Sequence, residues 1–208
     1  MVIDDLATLL TRARGLIAGG RRSILGIAGP PGAGKSTLAR QVADALAVAA
    51  VLVPMDGFHL AQPELVRLGR RDRMGAPDTF DAAGYAALLA RLRAREDDPV
   101  YAPEFWREIE EPIAGAIAIP RSVPLIVTEG NYLLLDDGGW ARVRPLLDEA
   151  WYVEMDEDTR LGWLIARHID FGKAPDEARA WVMRSDQANA AVAAATRERA
   201  DVIVRLAT

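Results

Sequence analysis

The 208-residue sequence contains no cysteine and only two histidines. Without cysteine, neither a disulfide framework nor a thiolate metal site can form. His59 and His168 are far apart in the chain, which argues against a zinc site built on histidine. The disulfide-stapled and zinc-dependent classes of protein are therefore not expected.

Long apolar runs and a surplus of positive charge are also missing. The longest apolar run, residues 45–55, is too short to span a bilayer and contains Pro54. The first five residues are partly acidic and show no signal-peptide pattern. The net charge is −5, whereas proteins that bind nucleic-acid phosphates usually carry a basic surplus. We therefore expect a cytoplasmic protein whose partners are neither nucleic acid nor membrane.

The composition is that of an ordinary globular protein, with 50% apolar and 26% charged residues. A chain of this length can bury the core of one α/β domain. We accordingly predict a single domain over residues 1–208. The oligomeric state is left open, with a homodimer among the options.

A glycine-rich segment at residues 29–36 carries the most informative motif. It reads Gly-Pro-Pro-Gly-Ala-Gly-Lys-Ser and fits G-x-x-x-x-G-K-[ST], the phosphate-binding loop of nucleoside-triphosphate enzymes. Glycines allow backbone N–H groups to turn towards a polyphosphate, Lys35 offers a charge to its β- and γ-phosphates, and Ser36 offers a hydroxyl to Mg²⁺. The residues predicted to bind ATP are Gly29, Pro30, Pro31, Gly32, Ala33, Gly34, Lys35, Ser36 and Thr37.

The flanking segments give this loop its expected context. Residues 23–28 form an apolar run typical of a buried strand, and residues 37–48 have apolar side chains at helical spacing. A strand, the loop and a helix therefore follow one another, and the N-terminus of that helix would face the phosphates.

The remaining pattern alternates strands and helices, which predicts a parallel sheet with helices on both faces. Further strands are predicted at 50–54, 123–128, 151–155 and 202–204. Helices are predicted at 3–18, 64–68, 81–95, 140–147 and 157–199, the last with a break near 171–175. Residues 100–119 are interrupted by prolines and are predicted as an irregular excursion or a hairpin outside the main sheet.

Two acidic residues lie at predicted strand ends, where ligands of parallel sheets bind. Asp56 follows the second strand and could accept the proton of an attacking hydroxyl. Glu129 ends the strand expected beside the loop strand and could hold Mg²⁺ directly or through water. Either residue could instead be a turn residue or a helix cap.

Three segments make a family resemblance specific. Met55-Asp-Gly-Phe-His59, Pro77-Asp-Thr-Phe-Asp81 and the strand ending in Glu129-Gly130 resemble motifs of the uridine kinase, phosphoribulokinase and pantothenate kinase group. Residues 75–81 and 129–135 are similar, more closely, to bacterial proteins labelled fructose transport system kinases. The resemblance begins near residue 23 and extends to the C-terminus. It implies an α/β, three-layer P-loop NTPase fold with a mainly parallel sheet and a small helical lid at about 157–187.

The resemblance also implies roles for individual residues. Asp56 would be the catalytic base, Asp78 would contact substrate and Glu129 would serve the metal. His59 is expected to shape the Asp56 turn and to contribute to substrate binding.

Residues 103–107 depart from the family pattern. Uridine kinases carry P-x-Y-D where this chain has Phe105 and Trp106, and pantothenate kinases have histidine near Arg107, so neither substrate is indicated. Glu104 and Arg107 are candidate substrate contacts, with surface charges on a hairpin as the alternative.

The predicted lid helix carries two arginines. Arg160 and Arg167 are seven residues apart, close to two turns, and should share one face. A planar guanidinium suits phosphate oxygens, so both are assigned to the γ-phosphoryl group. The alternative is a solvated charged face. Trp163 and Leu164 replace a pair of arginines usual in uridine kinases, and Lys173 could compensate. Asp186 and Asn189, in a stretch that also resembles the fructose-kinase-like proteins, have no assigned role beyond a contact near the nucleotide.

These observations predict an ATP- and Mg²⁺-dependent kinase that phosphorylates a hydroxyl of a small molecule, with a sugar favoured by the resemblance. A nucleoside or pantothenate acceptor is one alternative. A regulatory P-loop protein without catalysis is another. Residues 136–139 fit the D-x-x-G spacing of GTPases, but no N-K-x-D motif follows them.

Overall fold

The computed structural model of the protein describes residues 1–205. At its centre is a six-stranded sheet, in which every neighbouring pair of strands is parallel. The strand order is β1-β8-β7-β2-β6-β3. The strands of this sheet are β1 (Val2–Ile3), β2 (Ser23–Ala28), β3 (Ala50–Pro54), β6 (Leu125–Gly130), β7 (Glu149–Val153) and β8 (Val202–Val204).

Helices cover both faces of the sheet. The α-helices are α1 (Leu6–Ile17), α2 (Lys35–Leu46), α3 (Gln62–Arg67), α4 (Ala82–Ala94), α5 (Glu157–Asp170), α6 (Pro175–Trp181) and α7 (Gln187–Ala194). Side chains alternate along a strand, so Leu25 of β2 joins the core under α1 and α2, while Ile24 joins the core under α4. This α/β architecture of three layers confirms the predicted fold class.

The helix α4 illustrates how local sequence sets an element. The carboxylate of Asp81 accepts a hydrogen bond from the backbone N–H of Gly84 and caps the helix at its start. Leu88, Leu89 and Leu92 are buried on one side, as their spacing predicts.

The hairpin predicted outside the main sheet is confirmed. Strands β4 (Val100–Trp106) and β5 (Glu111–Ile119) form a separate antiparallel pair. The register shifts between Ala102 and Glu104, at Pro103, which has no N–H for the ladder. The hairpin packs against the turn that follows β3 and thereby reaches the ligand-binding end of the sheet.

Three local predictions are wrong. Residues 2–3 are a short strand, and the helix begins only at Leu6, because Asp5 caps it through Thr8. The helix predicted at 140–147 is two 3₁₀ turns; Pro145 lacks the N–H that a continuous helix needs. The helical stretch after Pro175 is interrupted by a π-helical turn, Val182–Asp186, and ends in a 3₁₀ turn.

Two strand boundaries also differ from prediction. The strand predicted at 151–155 lies at Glu149–Val153, and Glu129 lies within β6 and not after it. None of the helices in the described part of the chain is long and apolar enough to cross a bilayer.

Candidate active site

The C-terminal ends of β2, β3 and β6 open into one cleft of about 1240 Å³. Its walls come from the glycine-rich loop, the turn after β3, the tip of the β4–β5 hairpin, helix α5 and the start of α7. Because parallel strands present their C-terminal ends at one edge of a sheet, residues distant in the chain meet here.

The glycine-rich loop connects β2 to the N-terminus of α2, as predicted. Gly32 has φ +81°, and a Cβ there would lie 2.6 Å from the Leu164 side chain, so this position requires glycine. The N-terminus of α2 carries the unsatisfied N–H groups and positive dipole end that bind anions. The cradle therefore fits a polyphosphate.

Lys35 is the cation of this loop. Its Nζ donates a hydrogen bond to the Pro30 carbonyl oxygen at 2.9 Å. Burial lowers the pKa of Lys35 to about 8, while the Glu129 and Asp56 carboxylates act in the opposite direction. The ammonium group is therefore mostly protonated at neutral pH and available to a phosphate.

Ser36 and Glu129 form the candidate metal site. Ser36 Oγ donates to Glu129 Oε1 at 2.9 Å, because the pairing of β2 with β6 places Glu129 beside Ile27, just before the loop. Burial, and next the Asp56 carboxylate, raise the pKa of Glu129, whereas Lys35 and the Ser36 hydrogen bond lower it.

These oxygen ligands suit Mg²⁺, which binds one or two carboxylates and otherwise keeps waters and substrate phosphates. The donors present therefore fit the ion. Within residues 1–205, no group of three or more histidine, aspartate or glutamate side chains could hold a metal by itself.

Asp56 lies in the 3₁₀ turn Met55–Phe58 that follows β3, and its side chain lines the cleft. Arg107 Nη2 donates to Asp56 Oδ2 at 3.3 Å, and His59 Nε2 is 4.0 Å from Asp56 Oδ1. The Asp56 carboxylate is thus positioned by the hairpin on one side and by its own turn on the other.

His59 also lines the cleft and packs into the turn. Its ring stacks on Phe80 with 3.9 Å between centroids, and burial lowers the pKa of His59. Its Nδ1 is buried without a hydrogen-bond partner among the residues described. A neutral, packed ring suits the expected role in shaping the Asp56 turn.

The other three predicted acceptor contacts, besides His59, have different positions. Glu104 and Arg107 reach the cleft, and Arg107 also lies 5.9 Å from the ring centroid of Phe171 at the end of the lid helix. Asp78 does not line the cleft; its carboxylate pairs with Arg70 at 3.2 Å and Arg73 at 2.6 Å. The expected substrate contact of Asp78 therefore has no geometric support.

The two lid arginines, predicted to act together, have different surroundings. Arg167 lines the cleft, and its pKa is lowered by burial and then by Arg107, while Asp186, Asp56 and Glu129 raise it.

Arg160 is buried against the loop and does not line the cleft. Its Nη1 donates to the Pro31 carbonyl oxygen at 3.1 Å, and its Nη2 donates to Gln187 Oε1. The first turns of α5 pack on Gly32, so Arg160 supports the loop from behind. The prediction that both arginines face the phosphate is corrected for Arg160.

Several residues of the cleft were not assigned to a site from the sequence. Asp186 and Asn189 line it, in and just after the π-helical turn, which has no recognisable sequence signal. Trp181 also lines the cleft, and Lys173 Nζ lies 5.0 Å from its ring centroid. Trp140 and Trp151, in contrast, are buried in the core.

A parallel sheet with a phosphate loop between its central strand and α2, and with a helical lid over the loop, defines the P-loop kinase fold. The chain belongs to the phosphoribulokinase/uridine kinase family, whose sequence model matches residues 24–207.

Individual relatives agree with this assignment. The "Putative uridine kinase C227.14" of Schizosaccharomyces pombe is 30% identical over 194 residues, covering 89% of this chain and 82% of that protein. A pantothenate kinase of Nocardioides sp. is 26% identical over 157 residues, covering 70% of this chain and 47% of that protein. The crystal structure of a "putative fructose transport system kinase" from Silicibacter sp. TM1040 has a TM-score of 0.87 and 34% identity, covering 96% of this chain and 98% of that one.

Proposed function

We propose that this family member is an ATP-dependent kinase that transfers the γ-phosphoryl group to a hydroxyl of a small molecule, with a sugar as the leading acceptor. One observation carries the proposal. Asp56 shares a single cleft with the phosphate loop and with the Ser36–Glu129 pair. A base and a phosphate cradle in one cavity are the two parts that phosphoryl transfer to an alcohol requires.

In this mechanism the loop 29–36 and the N-terminus of α2 bind the triphosphate. The hydroxyl oxygen of the acceptor bonds to the γ-phosphorus while Asp56 accepts the hydroxyl proton. The bond between the γ-phosphorus and the bridging oxygen of ADP breaks, and ADP leaves. Lys35 and Arg167 offset the charge on the transferred group. Mg²⁺, held by Ser36 and Glu129, would neutralise charge on the β- and γ-phosphates. Arg160 keeps the loop in shape through Pro31.

The sugar acceptor is supported by the likeness to the Silicibacter protein and by the changes at Phe105 and Trp106. Relatives carry the names of uridine and pantothenate kinases, so a nucleoside and pantothenate remain the competing acceptors.

An acceptor panel with coupled ADP detection tests the proposal. It contains fructose and other sugars, uridine and pantothenate. We expect turnover with a sugar, and Asp56→Asn should lower kcat by about 100-fold or more, as expected for loss of a general base. ATP binding by Asp56→Asn should stay within about twofold, since the phosphate loop is intact.

Asp44→Asn, on the exposed side of α2, is the matched control and should behave as wild type. Transfer by Asp56→Asn at the wild-type rate would contradict the assignment of the base. ATP binding without turnover on any acceptor would favour a regulatory nucleotide-binding protein.

A further inference from the structure

One wall of the cleft has no part in the proposed chemistry. It is formed by the π-helical turn Val182–Asp186 and the first residues of α7. π-helical turns are rare and frequently lie at functional sites. Asp186 and Asn189, at positions i and i+3, project from the same side of this segment and both line the cleft.

The amide of Asn189 is available to a ligand at this wall. Only 6% of the residue is exposed, yet its side chain makes no hydrogen bond with any atom of residues 1–205. Among residues 1–205, the buried side-chain polar atom without a partner is His59 Nδ1, so the amide atoms of Asn189 are open to the cleft and not enclosed in the core. Because Asn189 lines the cleft, a bound ligand can become the partner of its amide.

The backbone of Gly75 fixes the space beside Asn189. Asn189 Nδ2 is 3.6 Å from the position that a Cβ on Gly75 would take, and Gly75 has φ +97°. Tyr132 Oη donates to the Gly75 carbonyl oxygen at 2.6 Å and holds this backbone in place. Segments 75–81, 129–135 and 185–190, which are far apart in the sequence, therefore meet at this point.

Asp186 adds a carboxylate to the same wall. Its Oδ2 lies 2.8 Å from His168 Nε2 of the lid helix, and its Oδ1 has no hydrogen-bond partner in the described chain. One carboxylate oxygen and one amide can together bind neighbouring hydroxyl groups, since they accept and donate hydrogen bonds in a fixed arrangement.

This wall belongs to the acceptor side of the cleft. His59, whose Nε2 is 4.0 Å from Asp56 Oδ1, stacks on Phe80. Phe80 packs on Tyr132, and Tyr132 Oη holds the Gly75 carbonyl beside Asn189, so a chain of contacts links this wall to Asp56.

The Asp186 carboxylate disfavours an anionic group beside Asn189. Of the cations in the cleft, Lys35 and Arg167 are assigned to the transferred phosphoryl group, and Arg107 pairs with Asp56.

We propose that Asn189 and Asp186 form the acceptor-recognition subsite, which binds hydroxyl groups of an uncharged polyhydroxylated molecule next to Asp56. This inference rests on the proposed kinase function and defines its substrate class. Recognition by a buried polar pair makes the site selective, because an acceptor without the matching hydroxyls leaves the pair unsatisfied.

The test uses the full chain with Mg·ATP and paired probes that differ in charge. D-fructose, D-ribose and D-glucose are compared with D-fructose 6-phosphate, D-ribose 5-phosphate and D-gluconate. We expect a neutral probe to give the highest kcat/KM. With that probe, Asn189→Ala should raise the acceptor KM about tenfold, the scale of one lost hydrogen bond, with a smaller change in kcat.

Deoxy analogues of the best probe give a second readout that a merely structural role would not produce. Removing the hydroxyl that Asn189 binds should raise the acceptor KM of the wild type but not that of Asn189→Ala. The effects of the substitution and of the missing hydroxyl should therefore be non-additive. Met183→Ala, an exposed residue of the same turn outside the cleft, is the control and should leave both parameters unchanged.

Three outcomes would overturn the inference. In the first, the acceptor KM of Asn189→Ala stays within about twofold of wild type. In the second, the losses of kcat/KM from Asn189→Ala and from the missing hydroxyl are additive for every deoxy analogue. In the third, only the anionic probes are turned over. Turnover of the anionic probes would still support the kinase, whereas ATP binding without turnover of any probe contradicts both proposals. The rise in melting temperature on adding ATP, measured for each variant, shows whether the ATP-binding part of the cleft is intact.

Discussion

Arg107 Nη2 lies 3.3 Å from Asp56 Oδ2, and the same guanidinium lies 5.9 Å from the ring of Phe171. One side chain of the hairpin therefore contacts the proposed base and the end of the lid helix. Arg107 therefore lies beside Asp56 in the cleft, and we propose that it contacts the acceptor there.

Replacing Arg107 should weaken binding of the acceptor but not binding of ATP. We expect Arg107→Ala to raise the acceptor KM about tenfold, the scale of a lost charge-assisted hydrogen bond, with the ATP KM unchanged. Steady-state kinetics with each substrate varied in turn measures both. Arg14→Ala, an exposed arginine of α1, is the control. An unchanged acceptor KM would mean that Arg107 is only a surface charge.

Substitutions of the two lid arginines should have different effects on catalysis, ATP binding and stability. Arg167→Ala should lower kcat by about 100-fold, as for loss of one group that stabilises the transition state, with little change in ATP affinity. Arg160→Ala should weaken ATP binding and lower the free energy of unfolding by about 2 kcal/mol, because the buried bond to the Pro31 carbonyl is lost. Calorimetric ATP titration, thermal melts and kcat distinguish these patterns. Identical effects of both changes would contradict the different positions.

Gly57 should be intolerant of any side chain. A Cβ at Gly57 would lie 2.3 Å from the Pro103 carbonyl oxygen, so alanine must push the hairpin away from the Asp56 turn. We expect Gly57→Ala to destabilise the protein by about 1–3 kcal/mol, the cost of overpacking, and to raise the acceptor KM.

Gly15→Ala is the matched control for this substitution. No atom lies within 4 Å of the added methyl group, and alanine favours a helix, so stability should rise by about 0.5–1 kcal/mol. Chemical denaturation of both variants gives the comparison. A harmless Gly57→Ala would contradict the close packing of hairpin and turn.

ATP binding should depend on pH through Lys35. Burial lowers the pKa of Lys35 to about 8 in the free protein, and bound phosphates would raise it again. Well below pH 8 the ammonium group stays charged, so Lys35 does not make the affinity for ATP depend on pH in that range. Above pH 8 the free lysine loses its proton, and ATP affinity should fall by up to about tenfold per pH unit.

The measurement is the Kd of Mg·ATP between pH 7 and pH 10. Lys35→Met should bind ATP more weakly at neutral pH and should lose this dependence. Persistence of the same slope in Lys35→Met would assign the titration to another group.

The sequence predicted the elements whose signal lies in neighbouring residues. The loop 29–36 was recognisable because its chemistry is carried by consecutive glycines, a lysine and a serine. Central strands such as β2 were recognisable because both faces are buried, which requires a continuous apolar run. Strand β1 was missed because two residues are too few to show a pattern, and the π-helical turn was missed because it has no sequence signature.

The sequence by itself therefore determined the family, the phosphate cradle and the order of the sheet's main elements. Only the tertiary structure decided which charged residues reach the cleft. Arg160 and Arg167 have equivalent places on one helix, yet packing on the loop buries the first and leaves the second in the cleft. Arg107 meets Asp56, 51 positions away, because the hairpin folds over the β3 turn. Such contacts depend on how elements pack in space, and no local pattern of residues encodes them.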